Sequence, residues 1–381
     1  MSEFKRSASD TRRVQIIDVS GLFYKFAFGG ATALSSTIMV NGVPTVVDTT
    51  LPAYTIKTIH RWAKGGFNPT VVCFDGRGST RSRKAYFAMK NGTSNGEPIG
   101  YKGARESQDS RFYDGINLTM NLLTQGGVCC LKADGYEADD LIKAAVDRAK
   151  IQYPDLPIDV VTGDVDLVPL VDDQVSVFLS SRKLTWAESK DIEKRHYVQL
   201  TPQNYQDYIE GLTNFKNLNV PYNTVLLAKL LRGDKSDDIK GYPKFTPTKF
   251  NNLIYSLTED GYDLSDICRY DSPTATICYR GTGEPIPQDL IDVTPREQKM
   301  IKFGEPPCLT KLCSILSNYL EEDVINHIRF MYNGINLNGA FTGLPDDFNR
   351  RPANLTVDIK GYISSVLQGA VSVVQINLPI L

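Results

Sequence analysis

Three short apolar runs, each ending in an aspartate, constrain this chain more than any other feature: Val14–Asp18 (VQIID), Thr70–Asp75 (TVVCFD) and Ile158–Asp164 (IDVVTGD). Continuous runs rich in β-branched residues read as strands buried on both faces. Between them lie stretches of helical character, Leu51–Lys64 and Glu137–Lys150, so the order is strand, helix, strand, helix, strand. That alternation predicts an α/β fold with a mostly parallel central sheet and helices on both faces. Ligands of such sheets gather beyond the carboxyl ends of the strands, which is where each run delivers its acid.

At 381 residues the chain exceeds what one core usually fills, so an α/β body with smaller appended parts is expected. The pattern breaks from Gly76 to Gly115, a stretch rich in Gly, Ser, Asn and basic residues that includes NGTSNGEPIGYKG from Asn91 to Gly103; it predicts a long loop or arch. From Thr201 to about Leu257 the signals are mostly helical, with Thr201-Pro202 as cap and first turn and Pro243 and Pro247 marking turns. Leu309–Tyr332 has helical periodicity, and Ala370–Leu381 reads as extended. The expected organisation is a core over 14–180 with the arch at about 76–115, a helical subdomain over 200–260, and a C-terminal extension over 261–381 to which no role is assigned.

Apolar residues at 41% and charged residues at 23% fit a folded globular chain. No stretch approaches the roughly 18 apolar residues that cross a bilayer, and Met1–Arg13 is polar and basic, so a soluble, cytoplasmic protein without a membrane partner is expected. Seven cysteines without a Cys-x-x-Cys pair read as reduced core thiols, and His60, His196 and His327 are too scattered to suggest a transition metal. The formal net charge of −2 looks wrong for a nucleic-acid binder, but the average hides a separation. Basic residues crowd from Arg77 to Arg111 (Arg77, Arg81, Arg83, Lys84, Lys90, Lys102, Arg105, Arg111), while acids cluster elsewhere.

The sharpest acidic cluster is Gly135-Tyr136-Glu137-Ala138-Asp139-Asp140, opening a helix. Helical spacing puts Glu137 and Asp140 on one face with Asp139 flanking it, so three carboxylates can converge. The plainer reading is that acids at a helix start complement the macrodipole. Thr162-Gly163-Asp164-Val165-Asp166-Leu167 follows a strand and can project two carboxylates above the sheet, or form a solvated turn. Gly233-Asp234-Lys235-Ser236-Asp237-Asp238 ends a helical run and reads either as a third acidic cluster or as an Asp-rich loop. Together with Asp18 and Asp75 these acids cannot converge unless cations neutralise them. All-oxygen donors select Mg²⁺ or Mn²⁺, and two such ions on the order of 4 Å apart can activate water against a phosphodiester. No Gly-x-x-x-x-Gly-Lys-[Ser/Thr] or Gly-x-Gly-x-x-Gly segment is present, so a polymer backbone is expected rather than a nucleotide cofactor.

These residues resemble the 5′-nuclease and flap-endonuclease superfamily, which includes the 5′-nuclease domain of bacterial DNA polymerase I and the 5′-exonucleases and ribonucleases H of tailed bacteriophages. Tyr136-Glu137-Ala138-Asp139-Asp140 followed by Thr162-Gly163-Asp164-Val165-Asp166-Leu167 resembles the family's paired acidic motifs in order and spacing. Asp18 in IIDVSGLFYKF and Asp75 in VVCFDGRGSTR resemble its first two aspartates. Asp234 and Asp237 in GDKSDDIKG resemble its Gly-Asp-x-x-Asp-Asn motif, with Asp238 in place of Asn. The likeness covers roughly residues 14–255, and the sequence as a whole looks phage-like.

The resemblance implies a PIN-like fold with a helix-turn-helix subdomain that binds duplex DNA. By it, Asp18, Asp75, Glu137, Asp139 and Asp140 would hold one Mg²⁺ nearest the scissile phosphate, and Asp164, Asp166, Asp234 and Asp237 a second. Tyr101-Lys102-Gly103-Ala104-Arg105 matches the family's Tyr-Lys-x-x-Arg segment at the arch base, where Lys102 and Arg105 would steer the phosphate and stabilise developing charge. Arg77, Arg81, Arg83, Lys84 and Tyr101 would contact nucleic acid along the arch; for Arg111 a solvated loop charge is the better reading. One segment departs from the family. Where Gly-Val-Pro-Gly-Ile-Gly-Pro-Lys is usual, this chain has Gly241-Tyr242-Pro243-Lys244-Phe245-Thr246-Pro247-Thr248-Lys249, lacking two glycines. Close backbone approach is then harder, which argues against the family's K⁺ site and usual duplex grip, while Lys240, Lys244 and Lys249 can still reach phosphates by side chain.

The implied activity is that of a monomeric 5′-3′ exonuclease or flap endonuclease, or a ribonuclease H removing RNA primers, in DNA replication or repair. Its partners would be DNA or RNA/DNA with 5′ ends, flaps or nicks, together with replication proteins, in the host cytoplasm if the chain is phage-encoded. Two other readings compete. Asp164-Val165-Asp166-Leu167-Val168 fits the Asp-x-Asp-x-[Thr/Val] signature of haloacid-dehalogenase phosphatases, but it follows a late strand and sits among too many other acids. A non-catalytic protein that binds branched nucleic acid would have lost acids, and all the matching acids are present.

Overall fold

The computed structural model describes residues 12–28, 34–40, 43–64, 68–80, 83–84, 87, 93–94, 97–98, 102, 110–125, 128–180, 197–205, 218, 220, 224–234, 237–262, 275–277, 301–303, 307–335 and 374–376. The chain divides into two compact units, one of residues 1–77, 105–203 and 343–381, the other of residues 78–104 and 204–342.

The first unit is built on a six-stranded sheet. Its strands are β1 (Val14–Asp18), β4 (Thr70–Phe74), β7 (Cys129–Lys132), β8 (Ile158–Thr162), β9 (Val175–Ser180) and β10 (Tyr197–Leu200), in the order β10-β9-β8-β1-β4-β7. All neighbours are parallel except β10, which runs antiparallel to β9 at the edge. β1, β4 and β8 are buried along their whole length, which explains their unbroken apolar character. From β1 the chain steps outward through β4 and β7, then restarts on the other side with β8 and β9. The strand order therefore reverses between β1 and β8.

Helices cover both faces. On one, α1 (Val19–Phe28), α2 (Thr50–Trp62) and α3 (Ser110–Gln125) bury Phe23, Ile56, Ile59, Leu118 and Leu122 against Ile17, Val72 and Val161. Phe23 meets Phe112 edge-on at 5.7 Å, and Trp62 packs edge-on against both Phe178 and Tyr197. On the other, α4 (Ala138–Gln152) sets buried Leu141, Ile142, Ala145 and Val146 against β1, β4 and β8. The mostly parallel sheet with helices on both faces is thus as expected, with the predicted elements shifted by a residue or two at their ends. A hairpin of β2 (Ser35–Val40) and β3 (Val43–Asp48) was not anticipated, and Val374–Ile376 adds a parallel strand to β2. Helix α3 begins at Ser110, so the loop expected to run to Gly115 ends sooner.

The second unit is mainly helical. Its elements include α5 (Val225–Arg232), α6 (Pro247–Glu259), α7 (Pro307–Leu316) and α8 (Glu322–Ile335). The single periodic stretch expected over Leu309–Tyr332 is two helices. Thr246 caps α6, its side chain accepting from Lys249 N–H, and Pro247 takes the first turn, where a missing N–H costs nothing. The C-terminal helices belong to this body: Tyr242 donates to Asp323, Tyr319 donates to Asp260, and α8 packs on α5. Residues 78–104, placed with the core by sequence, cluster here instead and include the short antiparallel pair β5 (Thr93–Ser94) and β6 (Glu97–Pro98). Phe87 meets Phe330 edge-on at 5.8 Å, and Lys102 N–H donates to the Asp237 carbonyl at 2.7 Å. Among the described residues no helix is long and apolar enough to cross a membrane.

Candidate metal centre

The reversal of strand order leaves a crevice beyond the carboxyl ends of β1 and β8, the place where parallel sheets bind ligands. Asp18, the last residue of β1, is buried there, 4% exposed. Its Oδ2 accepts from the Thr162 hydroxyl at 2.8 Å and its Oδ1 from Gly21 N–H at 3.1 Å. Position 21 must be glycine for this approach, since a Cβ would stand 2.8 Å from both Asp18 Oδ2 and Gly163 N. Burial pushes the Asp18 carboxyl up to about 6, and the neighbouring Asp75 charge adds to the rise against the donors that lower it.

Asp75 follows β4 and is exposed. It is held from both sides, its Oδ2 accepting from the Ser20 hydroxyl at 2.6 Å and its Oδ1 from Ala138 N–H at 2.8 Å. The second bond ties Asp75 to the N-terminus of α4, where first-turn N–H groups have no partner within the helix and the dipole favours an anion. Gly76 must also lack a side chain, because a Cβ would come 1.7 Å from the Ala133 carbonyl. Glu137 caps α4 and forms a capping box with Asp140: the Asp140 N–H donates to the Glu137 carboxylate, and Glu137 N–H donates to Asp140 Oδ2 at 2.9 Å. Both are buried, and Asp139 between them is half-buried. The plainer reading of these acids as helix-start residues is therefore realised, whatever else they do.

Beyond β8 the chain turns into a 3₁₀ segment, Val165–Leu170. Asp164 N–H donates to the Thr162 hydroxyl at 2.9 Å, and Asp166 N–H donates to Asp164 Oδ1 at 2.8 Å. Asp164 and Asp166 are half-buried. Among the described residues no three acidic, His or Cys side chains stand in a group that could hold an ion. Asp18, Asp75 and Asp164 instead accept from hydroxyl and backbone donors. The donor set is nevertheless all oxygen, and Asp18 with Asp75 forms a partly desolvated like-charge pair. A hard divalent cation suits those residues.

Asp234 and Asp237 lie in the second unit. Both are buried, and Asp234 Oδ2 pairs with Lys229 Nζ at 2.8 Å, each side chain under a tenth exposed. The pair spans the last turn of α5 and the tight Gly233–Asp234 and Ile239–Lys240 ladder, made possible by Gly233 at φ +76°. Of the expected cations, Lys102 is half-buried, while Lys240, Lys244 and Lys249 are exposed. Arg77 is exposed beside Asp134, 3.6 Å away, whereas Lys84 is half-buried and Arg83 is buried and so offers no open guanidinium. Arg81, Tyr101 and Arg105 lie outside the described residues. Sequence reading missed Ser20, Gly21 and Thr162. Their signal was present in the Asp-Val-Ser-Gly and Thr-Gly-Asp segments directly after two strands.

Against known proteins, residues 13–198 match the model of the 5′-3′ exonuclease N-terminal, resolvase-like domain. Thermostable DNA polymerase I of Thermus filiformis is 25% identical over 205 residues, covering 52% of this chain and 22% of the polymerase. DNA polymerase I of Mycobacterium tuberculosis H37Rv is 31% identical over 147 residues, 38% of this chain and 14% of the polymerase. This chain thus spans less than a quarter of these polymerases. The 5′-3′ exonuclease of Bacillus subtilis is 26% identical over 235 residues, 61% of this chain and 66% of that protein. Among solved structures, the bacteriophage T5 flap endonuclease complexed with DNA and metal ions superposes with a TM-score of 0.48 at 15% identity, covering 94% of this chain and 99% of that one. The matched segment holds β1, β4, β7, β8, β9 and the start of β10, with seven of the acids expected at the site, while Asp234 and Asp237 fall beyond it.

Proposed function

We propose that this chain is a structure-dependent 5′-nuclease, acting as a 5′-3′ exonuclease or flap endonuclease on DNA, or on RNA paired with DNA, in replication or repair. The observation that carries the reading is Asp18, a buried carboxylate with Asp75 beside it, at the strand-order reversal of an exonuclease-family domain. Such a charge is costly to keep in the crevice without a cation.

Asp18 and Asp75, with Glu137, Asp139 and Asp140, would hold one Mg²⁺, and Asp164 and Asp166 another; Mn²⁺ would substitute. Bound as a pair, the ions would supply an activated water and charge stabilisation for the leaving oxygen. The protein's own part is orientation. Ser20 and the start of α4 fix Asp75, and Thr162 and Gly21 fix Asp18. From the sequence resemblance, Lys102 and Arg105 are proposed to neutralise the phosphate as charge develops. The exposed Lys240, Lys244 and Lys249 are proposed to bind duplex backbone.

The test is cleavage of a 5′-labelled flap and of a nicked RNA primer on DNA, in Mg²⁺ or EDTA, by wild type and Asp164→Asn. Short 5′ products that need metal and vanish in the variant are expected. A wild-type chain that binds the flap but leaves both substrates whole would replace the nuclease by a structure-selective binding protein.

A further inference from the structure

Thr162 links Asp18, at the end of β1, to the Asp164 turn beyond β8. The parallel register sets Val161 beside Ile17, so the next residues, Thr162 and Asp18, face each other at the strand ends. Thr162 is 2% exposed. A hydroxyl has one proton to give, and here it goes across the sheet to Asp18 Oδ2 at 2.8 Å. Its lone pair accepts Asp164 N–H at 2.9 Å, and Asp164 Oδ1 accepts Asp166 N–H at 2.8 Å. Asp18, Thr162, Asp164 and Asp166 therefore form one directed chain of hydrogen bonds across the strand-order reversal. A threonine serving only the local turn would make the bond to Asp164 alone; the proton aimed at another strand is what that role leaves unexplained.

We propose that Thr162 is a positioning residue whose single hydroxyl ties the Asp18 carboxylate to the Asp164–Asp166 turn, so that the two halves of the metal centre are set together. The inference rests on the nuclease reading above. Gly21 limits Asp18 from the other side, donating to Oδ1 at 3.1 Å and leaving no room for a Cβ. With both oxygens held, the carboxylate has one arrangement, and it is referenced to the turn. Ser20 offers a contrast within the same centre, since its hydroxyl serves Asp75.

The experiment is Mg²⁺ titration calorimetry on the full chain without nucleic acid, together with flap-cleavage kcat and KM, for wild type, Thr162→Val, Thr162→Ser and Ser20→Ala. Valine keeps the branched shape and strand propensity of threonine without the hydroxyl, and thermal unfolding in EDTA confirms that each variant is folded. Removing a partner that orients a metal ligand typically costs 10- to 100-fold in affinity, so Thr162→Val is expected to weaken both binding steps by about tenfold and to lower kcat with KM little changed. Thr162→Ser, which keeps the hydroxyl, stays within about twofold of wild type, and Ser20→Ala weakens one step only. A folded Thr162→Val chain that binds Mg²⁺ like wild type overturns the proposal, as does one in which a single step weakens, or a Thr162→Ser chain as weak as Thr162→Val. A wild type with no Mg²⁺ heat and no cleavage instead sinks the metal-dependent reading on which the proposal stands.

Discussion

Replacing Asp18 by Asn removes a buried charge while keeping its shape. Burial and the Asp75 charge raise the Asp18 carboxyl from 3.8 to about 6. At 1.36 kcal/mol per unit, that difference of roughly two units is worth about 3 kcal/mol. The sign follows from proton linkage. The folded chain holds this proton more tightly than the unfolded chain, so the contribution is fully present below the unfolded value and is lost as pH rises from about 4 through about 6. At pH 7.5 without metal, wild type therefore carries an ionised, desolvated Asp18 that the Asn variant lacks. The Asn oxygen still accepts from Gly21, and the Thr162 hydroxyl, already accepting from Asp164, can accept from the new amide. Asp18→Asn should then be more stable than wild type by about 2 kcal/mol in EDTA at pH 7.5, and nearly equal to it at pH 4. Saturating Mg²⁺ should stabilise wild type more than the variant, which keeps the Asp164 and Asp166 carboxylates. Urea unfolding at both pH values, with and without Mg²⁺, reads all of these. An Asn variant less stable than wild type at pH 7.5 in EDTA, or a difference that does not change with pH, would refute the electrostatic account of the crevice.

Two further perturbations probe the scaffold. Gly21→Ala puts a Cβ 2.8 Å from Asp18 Oδ2 and from Gly163 N, and backbone on one side cannot yield cheaply; a loss of about 1–3 kcal/mol is expected in urea unfolding, together with weaker Mg²⁺ binding by calorimetry. In the second unit, Asp234→Ala leaves the buried Lys229 ammonium without its carboxylate and should cost about 3–5 kcal/mol, while the double variant with Lys229→Met recovers most of that loss; equal instability of the single and double variants would argue that the pair matters for packing alone.

Particular elements show why some of this was legible in the sequence. β1, β4 and β8 are buried on both faces, so each had to be continuously apolar, and such runs stand out from the polar chain around them. The edge strands carry no such mark. β7 is four residues ending in an exposed lysine, and β10, at the border of the sheet, buries only its two ends and leaves Gln199 exposed. The β2–β3 hairpin had a usable signal in the Asn41-Gly42 dipeptide between two apolar stretches. The break between α7 and α8 lies inside a stretch whose apolar spacing suits one helix as well as two, and only packing separates them.

The sequence by itself determined the fold class and nominated the acids, because strand burial, helix periodicity and the order of carboxylates are all one-dimensional properties of the chain. Tertiary structure decided how those acids are held. Parallel pairing of β1 with β8 brings residues 144 positions apart into a 2.8 Å hydrogen bond between Thr162 and Asp18, and the start of α4 reaches back to Asp75. It also gave Glu137 and Asp140 to a capping box, Asp234 to Lys229, and residues 78–104 to the helical unit. Spacing along a chain lists which groups can meet. Strand register and the missing Cβ of Gly21 fix which do, because a donor's direction and the space beside it exist only once the sheet has formed.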